Sequence, residues 1–229
     1  MLIPNESISM AEWWFEYDTG RCIGFKNRSQ IYNFLLRCQT VYKILAEAEL
    51  LYITDIQYQH WVKYDVNTDK AIYKIPRKEG VKPLASSYLK PLRFADVCLE
   101  DIEDDPFIYP GDILFTGWGI IISESREKIK RRSLVKMKVS SDGYPTVEIS
   151  TYSDVWLPYD IYGKPQPKRH ELNAPRLEKA LTEVKEALGI DSMFDGNHLV
   201  EQDKEFTLTN CRDSLGDILI YDPNLYRVV

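Results

Sequence analysis

The chain has 229 residues, of which 44% are hydrophobic and 28% are charged, and these fractions are typical of a soluble globular protein. They exclude an intrinsically disordered chain, a collagen and a coiled-coil rod. The formal net charge of -6 disfavours nucleic acid as a general partner of the surface, because proteins that bind DNA or RNA need a basic field.

The N-terminal sequence and the cysteines predict a cytoplasmic protein. The beginning of the chain, MLIPNESISMAEWWFEYDTG, is acidic and lacks the basic segment and unbroken apolar run of a secretion signal. The most apolar window, residues 118–123, is far shorter than the roughly 20 residues that span a bilayer. Cys38 lies on an apolar helical stripe and is interpreted as a buried hydrophobe. We expect widely spaced, reduced thiols at Cys22, Cys38, Cys98 and Cys211.

The first half of the chain predicts one long helix and one hairpin. From Ser29, the expected N-cap, to about Tyr52, apolar residues recur at steps of three and four. Bulky and polar residues then alternate over residues 58–75 around a turn at 67–69, which is typical of a β-hairpin. The prolines of residues 76–91 favour a long loop or a pair of short elements, where a subdomain break is possible within a single domain spanning 1–229.

The middle of the chain predicts an antiparallel meander. A strand over residues 115–123 is expected after a turn at 110–112, and strands over 134–139 and 146–152 flank a turn at 141–143. In the last of these strands Val147, Ile149 and Thr151 share one face, whereas Glu148, Ser150 and Tyr152 share the other. The sheet is therefore expected to have one wet face and one face that is covered by helices.

The last third of the chain predicts a second amphipathic helix and two short strands. Asn173 is the expected N-cap, Pro175 lies in the first turn, and Gly189 stands at the C′ position. Residues 206–209 and 217–221 are candidate strands. The predicted fold class is therefore α+β, with an antiparallel meander sheet packed by two main amphipathic helices.

The histidines carry no recognisable catalytic or metal-binding motif. His60, His170 and His198 are far apart, and none has a second histidine or a cysteine at ligand spacing. His170 is interpreted as an exposed residue at the entry to the second helix. His198 is interpreted as part of a turn that Asp195 and Asn197 cap.

Two further patterns favour structural interpretations. An acidic run indicates a solvated loop, because a general acid needs an apolar pocket and the run lacks the spacing and the central glycine of a calcium loop. Its residues are Asp101, Glu103, Asp104 and Asp105. Gly117 and Gly119 in FTGWGI indicate close backbone packing, because a third glycine and a phosphate-binding lysine are missing.

Charge is segregated along the chain. Residues 95–112 contain seven acidic residues and no basic one, whereas residues 126–138 contain seven basic residues against Glu127 alone. Acidic residues are again in excess from residue 201 to the C-terminus. The segregation is compatible with solvated faces, or with acidic loops that steer a basic partner. For the basic run, residues 126–138, we expect ion pairs with the acidic faces of the protein rather than nucleic acid binding, because aromatic residues do not interleave with the cations as a stacking groove would need.

Residues 151–189 combine aromatic residues with prolines. Tyrosine and tryptophan are favoured interface anchors, and prolines reduce the entropy lost when a loop is ordered. Three aromatic residues are the candidates: Trp156, Tyr159 and Tyr162. Packing of this loop onto its own sheet would use the same residues, and that alternative stays open.

The strand, the SDVWLPYDIYGKPQP loop and the NAPRLEKAL helix of this segment resemble a pattern found in small bacterial proteins. These include immunity proteins that are encoded beside polymorphic or contact-dependent toxins. The resemblance covers about a sixth of the chain. It implies a cytoplasmic α+β protein that binds and blocks one toxin domain. Immunity families share no active-site motif, so the resemblance transfers no functional residue.

We therefore predict a stoichiometric inhibitor, not an enzyme, that occludes the active site of a basic toxin domain such as a nuclease. Neither a metal nor a cofactor is predicted. The predicted partner-binding residues are Asp101, Glu103, Asp104, Asp105, Trp156, Tyr159 and Tyr162. Two alternatives stay open: an enzyme that combines His60 or His198 with a distant acidic residue, and a nucleic-acid-associated regulatory or structural protein that uses the basic run.

Overall fold

The computed structural model describes residues 9–17, 28–65, 70–75, 80–83, 108–141 and 144–222, and the side chains of these residues except at 28, 59–65, 70–75, 80–83 and 108–110. The strands are β1 Ala11–Glu16, β2 Tyr52–Asp65, β3 Lys70–Ile75, β4 Gly80–Pro83, β5 Ile108–Ile122, β6 Lys128–Arg132, β7 Val135–Ser140, β8 Thr146–Thr151, β9 Ser192–Gly196, β10 Val200–Lys204 and β11 Thr207–Asn210. The helices are α1 Arg28–Glu47 and α2 Pro167–Leu188, and a short 3-10 helix spans Asp154–Trp156.

Nine of the described strands form one antiparallel sheet, in the order β3-β2-β5-β7-β8-β1-β9, with β4 beside β2 and β6 beside β5. Strands β10 and β11 form a separate hairpin. The predicted α+β class, with an antiparallel sheet and two helices, is confirmed. The meander is only partly sequential, because the N-terminal strand β1 pairs with β8 on one side and β9 on the other.

One face of the sheet carries the core. Buried and half-buried residues alternate along β1 and β7, as they do in a strand with one covered face. Trp13, Phe15 and Phe115 are fully buried on this face, and Leu35 of α1 and Leu181 of α2 are buried residues of the same core. In β8 the three residues predicted to share one face, Val147, Ile149 and Thr151, are buried. Ser150 of the opposite face is buried as well.

The predicted hairpin over residues 58–75 is confirmed, since β2 and β3 pair from Asp65↔Lys70 onward. The predicted turn at 110–112 is wrong, because β5 runs through it. Pro110 pairs with Trp61 at an irregular point of the β2 register, and the ladder to β7 begins only at Asp112. Proline is tolerated there, because its missing N–H removes no bond from that ladder.

The helix starts differ from the predicted ones. Ser29 lies inside α1, and α2 begins at Pro167, so Asn173 and Pro175 are interior residues rather than a cap and first turn. Proline at the first helical position is a favourable start, because its missing N–H would be unpaired there anyway. The predicted helix end is confirmed, since Gly189 has the left-handed φ of +68°.

The C-terminal region contains a loop where a strand was predicted. Strand β11 matches the first candidate, but Phe206 has a φ of +65° and belongs to the preceding turn. Residues 217–221 form no strand, and an isolated bridge joins Arg212 to Ile218 instead. No helix within the described ranges is long and apolar enough to cross a membrane.

Candidate functional site

The structure describes three of the seven predicted partner-binding residues. Asp101, Glu103, Asp104 and Asp105 lie outside the described residues. Trp156 is only 1% exposed, and its Nε1 donates to Thr151 Oγ1, so it belongs to the core rather than to a surface that a partner can contact. Tyr159 is half-buried, and its backbone exchanges two hydrogen bonds with the Asn210 side chain. Tyr162 is exposed, so the predicted anchoring role is sterically possible there.

Exposed apolar side chains occur at three positions in two loops of the last third of the chain. Tyr162, Leu215 and Ile220 are 47%, 85% and 56% exposed, respectively. They lie on two loops, residues 158–164 and 211–222, that also carry several carboxylates. We call this set the C-terminal surface: Asp160, Tyr162, Asp213, Leu215, Asp217, Ile220 and Tyr221.

The first loop is ordered by one carboxylate. Asp160 Oδ1 accepts hydrogen bonds from the backbone N–H groups of Tyr162 and Lys164, at 3.0 and 2.9 Å. Gly163 adopts a φ of +79°, which glycine allows without steric cost. The Tyr162 side chain is therefore presented by a turn that is already formed.

The second loop is ordered in the same way. Asp213 Oδ1 accepts from the N–H groups of Leu215 and Asp217, each at 2.9 Å. The guanidinium of Arg212 donates to the carbonyl oxygen of Gly216 at 2.7 Å, across the same turn. Leu215 consequently stands at the tip of a tight turn, with a carboxylate on each side in the sequence DSLGD.

Direct contacts join the two loops. The N–H of Tyr221 donates to the carbonyl oxygen of Ile161 at 2.7 Å, and the rings of Tyr162 and Tyr221 meet edge to face with centroids 6.3 Å apart. A Cβ atom at Gly163 would lie 3.1 Å from Ile220, so these loops approach closely. These contacts bring Tyr162, Ile220 and Tyr221 together, and Leu215 stands on the neighbouring turn. The surface can bind a partner but contains no recognisable nucleophile and base pair.

Leu215 and Ile220 were not among the contact residues predicted from the sequence. The available signal was an isolated apolar residue in an acidic turn, DSLGD, and the apolar stretch of DILIYD. Neither signal distinguishes a side chain that packs inward from one that points to solvent.

The basic run is partly paired within the protein, but of the ion pairs that Lys128, Arg132 and Lys138 form, only that of Lys138 involves a carboxylate of a predicted acidic face, Asp112. All five residues of β6 are exposed. Three cations of the run contact carboxylates, at 2.7, 3.6 and 3.2 Å: Lys128 with Glu49, Arg132 with Asp55, and Lys138 with Asp112.

Two cations of the run contact aromatic rings, but no open stacking platform results at Trp118, because its ring is also stacked on that of Tyr52 with centroids 4.3 Å apart. The Nζ atom of Lys130 lies 3.8 Å from the ring centroid of Trp118, and that of Lys136 lies 3.9 Å from the ring centroid of Tyr152. The pairing of β6 with β5 brings Lys130 next to Trp118, and the pairing of β7 with β8 brings Lys136 next to Tyr152. The linear sequence cannot show this arrangement.

The histidines occupy unrelated positions. The predicted turn at His198 is confirmed, since Asn197 Oδ1 accepts from the N–H of Leu199 at 2.9 Å. His170 is not an exposed entry residue: it lies in the first turn of α2 with its Nε2 shielded from solvent, and burial lowers its pKa. The His60 side chain lies outside the described part. Among the described residues, no cluster of histidine, cysteine and carboxylate side chains has metal-binding geometry.

The prediction of close backbone packing at the two glycines is confirmed. A Cβ at Gly117 would lie 1.9 Å from the carbonyl oxygen of Tyr52, and one at Gly119 would lie 2.3 Å from that of Leu50. These glycines serve the fold and not a phosphate loop.

Comparison of the chain with protein-family models, with curated proteins and with solved structures finds no match.

Proposed function

We propose that this protein is an immunity-type inhibitor that binds a basic bacterial toxin domain and blocks its active site, and that the C-terminal surface is part of the contact. One observation carries the proposal. Exposed apolar side chains, rimmed by carboxylates, stand on two loops that internal hydrogen bonds already order.

The apolar part of the surface supplies affinity. Burial of a leucine or an aromatic side chain against a partner contributes about 1.5 to 3 kcal/mol. Leu215, at 85% exposed, has most of that contribution still available. Because Asp160 and Asp213 hold their turns in place, little conformational entropy is lost on binding.

The acidic part of the surface supplies selectivity for a basic partner. Asp213 and Asp217 are exposed on the same turn as Leu215, and the whole chain carries a net charge of -6. Complementary charge accelerates association and disfavours acidic partners. The acidic run of Asp101, Glu103, Asp104 and Asp105 remains part of the proposed contact on the ground of its sequence alone.

The immunity role follows from the resemblance of residues 151–189, a segment that contains Asp160 and Tyr162. An immunity protein acts by occupying its toxin, so it needs a rigid docking surface and no catalytic group of its own. The sheet and the ordered loops of this protein fit that requirement.

The proposal is tested by titrating the toxin domain encoded by the neighbouring gene into the purified protein. Tyr162→Ala and Leu215→Ala are each expected to weaken the complex about tenfold, which corresponds to about 1.4 kcal/mol. Two matched controls, Tyr144→Ala and Leu36→Ala, remove exposed residues of the same types elsewhere and are expected to leave affinity unchanged. Undiminished affinity and toxin inhibition in the Tyr162→Ala, Leu215→Ala double variant would contradict the assignment of this surface.

The electrostatic part has its own test. Affinity is expected to fall as salt is added, and to fall further in Asp104→Lys and Asp105→Lys. Salt-independent affinity together with neutral substitutions at both positions would remove this part of the proposal.

A second candidate function is binding of nucleic acid, which the exposure of all five residues of β6, four of them cationic, favours. The ion pairs of Lys128 and Arg132 oppose it, because they already neutralise part of the run. The stacking of Trp118 on Tyr52 and its contact with Lys130 also oppose it, because they cover the ring on which a base could stack. Salt-sensitive binding of a labelled oligonucleotide that Lys130→Ala weakens would favour this alternative over toxin inhibition.

A further inference from the structure

A small cavity of about 40 Å³ lies where the end of β5, strand β6 and the start of α2 meet. Two arginines line it, Arg131 from β6 and Arg169 from α2, together with the hydroxyl-bearing residues Ser123 and Ser153. Apolar side chains, including that of Val155, form the remaining wall. The cavity shares no residue with the C-terminal surface.

The two arginines bring uncompensated positive charge to the cavity. The Nε of Arg169 is shielded from solvent and has no hydrogen-bond partner. The β6 cations that do form ion pairs, Lys128 and Arg132, lie on the opposite face of that strand from Arg131, because side chains alternate along a strand. Within the described residues, no carboxylate forms an ion pair with either arginine of the cavity.

The start of α2 adds to this positive field. A 22-residue helix directs its first backbone N–H groups and the positive end of its dipole towards its N-terminus, where Arg169 lies. The N-cap residue Gln166 does not cap these groups, since its side-chain amide donates to the carbonyl oxygens of Asp154 and Leu157. The positive end of the helix dipole therefore lies beside Arg169.

Ser153 supplies a further donor. Its Oγ accepts a hydrogen bond from the N–H of Val155 at 3.3 Å, which leaves the hydroxyl proton to donate into the cavity. A pair of guanidinium groups and a hydroxyl, placed in the positive field of a helix N-terminus, form a donor set that complements a tetrahedral oxyanion.

From this geometry we propose that the cavity binds a phosphate group, held by Arg131 and Arg169 with Ser153 as an additional donor. Guanidinium groups suit phosphate, because their planar donors match its oxygens. The apolar wall limits competition by water. The phosphate is either free inorganic phosphate or the terminal phosphate of a nucleotide, since the donor set recognises the same oxygens in both.

The test is calorimetric titration of the full-length protein with inorganic phosphate at constant ionic strength, with chloride as the matched anion. We expect saturable binding at millimolar phosphate, absent with chloride. Arg169→Gln and Arg131→Gln are each expected to weaken binding by about tenfold or more. Lys168→Gln, which removes an exposed cation from the same helical turn, is expected to leave binding unchanged.

Because Arg131 is exposed, Arg131→Gln keeps the test informative even if Arg169→Gln fails to fold. Adenosine 5′-monophosphate and adenosine distinguish the source of the phosphate. Binding of the monophosphate more tightly than inorganic phosphate identifies a nucleotide site, and equal affinity identifies a site for free phosphate. The proposal is overturned if phosphate gives no saturable signal, if Lys168→Gln weakens binding as much as Arg131→Gln, or if adenosine binds as well as its monophosphate.

Discussion

Asn173 of α2 and Ile122 of β5 exchange two hydrogen bonds, as residues of neighbouring strands do. The N–H of Ile122 donates to Asn173 Oδ1 at 2.9 Å, and Asn173 Nδ2 donates to the carbonyl oxygen of Ile122 at 2.8 Å. Pairing of β2 with β5 ends at Tyr52↔Trp118, so α2 completes the edge of β5 beyond that point. Arg176 continues this contact, since its guanidinium donates to the carbonyl oxygen of Ile120 at 2.9 Å. A helix thereby protects a strand edge that would otherwise be open.

Replacement of this side chain is expected to destabilise the protein. Asn173 is fully buried, so Asn173→Ala leaves the backbone groups of Ile122 without their partner. The expected loss in the free energy of unfolding is about 3 kcal/mol, measured by urea denaturation. Glu178→Ala, on the exposed side of the same helix, is the control and is expected to change stability little. Equal stability of the two variants would show that the bonds to Ile122 contribute nothing.

The same residue shows where sequence patterns are insufficient. Asparagine two residues before a proline is a common helix start, and the pattern predicted an N-cap at Asn173. The tertiary contact with Ile122 overrides that local signal, and the helix extends back to Pro167. Pro175 is tolerated within the helix, because it and Glu171, whose carbonyl group loses a partner, are both exposed to water. Helix α1 and the β7–β8 pair were predictable, since their apolar periodicity arises from one buried face.

Close packing of β5 against β2 makes Gly117 intolerant of any side chain. Gly117→Ala is expected to cost about 3 kcal/mol of unfolding free energy, because its Cβ would overlap the carbonyl oxygen of Tyr52 and the backbone must move. Gly189→Ala is the matched control. It meets no atom within 4 Å and is disfavoured only by its positive φ, so its expected cost is about 1 kcal/mol. Thermal or urea denaturation that ranks the two variants in the opposite order would refute the packing argument.

Glu148 is expected to make stability depend on pH. Burial, followed by the charge of Glu12, raises the pKa of its carboxyl group above the ordinary 4.5. The folded protein therefore disfavours the ionised carboxylate of Glu148. As pH rises from the pKa of this group in the unfolded chain to its higher pKa in the folded protein, the free energy of unfolding falls. Glu148→Gln removes this loss, so it is expected to unfold at higher urea concentration than the original protein at pH 7. The advantage should disappear below about pH 4, where both states are protonated. A stability advantage of Glu148→Gln that persists below pH 4 would point to another cause. So would an equal advantage in the control variant Glu124→Gln, which replaces an exposed glutamate.

Trp156 is expected to stabilise the fold without contacting a partner. Trp156→Phe removes the indole donor to Thr151 and part of a fully buried side chain, so the unfolding free energy should fall by about 1 to 3 kcal/mol. The affinity of the folded Trp156→Phe variant for the toxin domain should stay unchanged. Tyr162→Ala should instead lower the affinity and leave the free energy of unfolding nearly unchanged. Lost affinity in a Trp156→Phe protein that remains folded would restore Trp156 as a contact residue.

The candidate site was only partly predictable. The sequence drew attention to the loop that carries Tyr162, because tyrosine and proline in one segment favour an ordered surface loop, and the side chain is exposed there. It could not identify Leu215 or Ile220, since their exposure depends on the tertiary structure. The loop of residues 211–222 that carries them is joined to the loop of residues 158–164 by the hydrogen bond from the N–H of Tyr221 to the carbonyl oxygen of Ile161. The contact of Arg131 with the cavity beside Arg169 likewise depends on how β6 pairs with β5.

The central claim is that the C-terminal surface contacts a basic toxin domain, and hydrogen exchange of the complex tests it most directly. Amide exchange is compared for the free protein and for its complex with the toxin domain of the neighbouring gene. The account predicts slower exchange in residues 158–164 and 211–222 on binding, with residues 124–132 unchanged. Protection that is confined to residues 124–132, or that leaves both C-terminal loops unaffected, would contradict it.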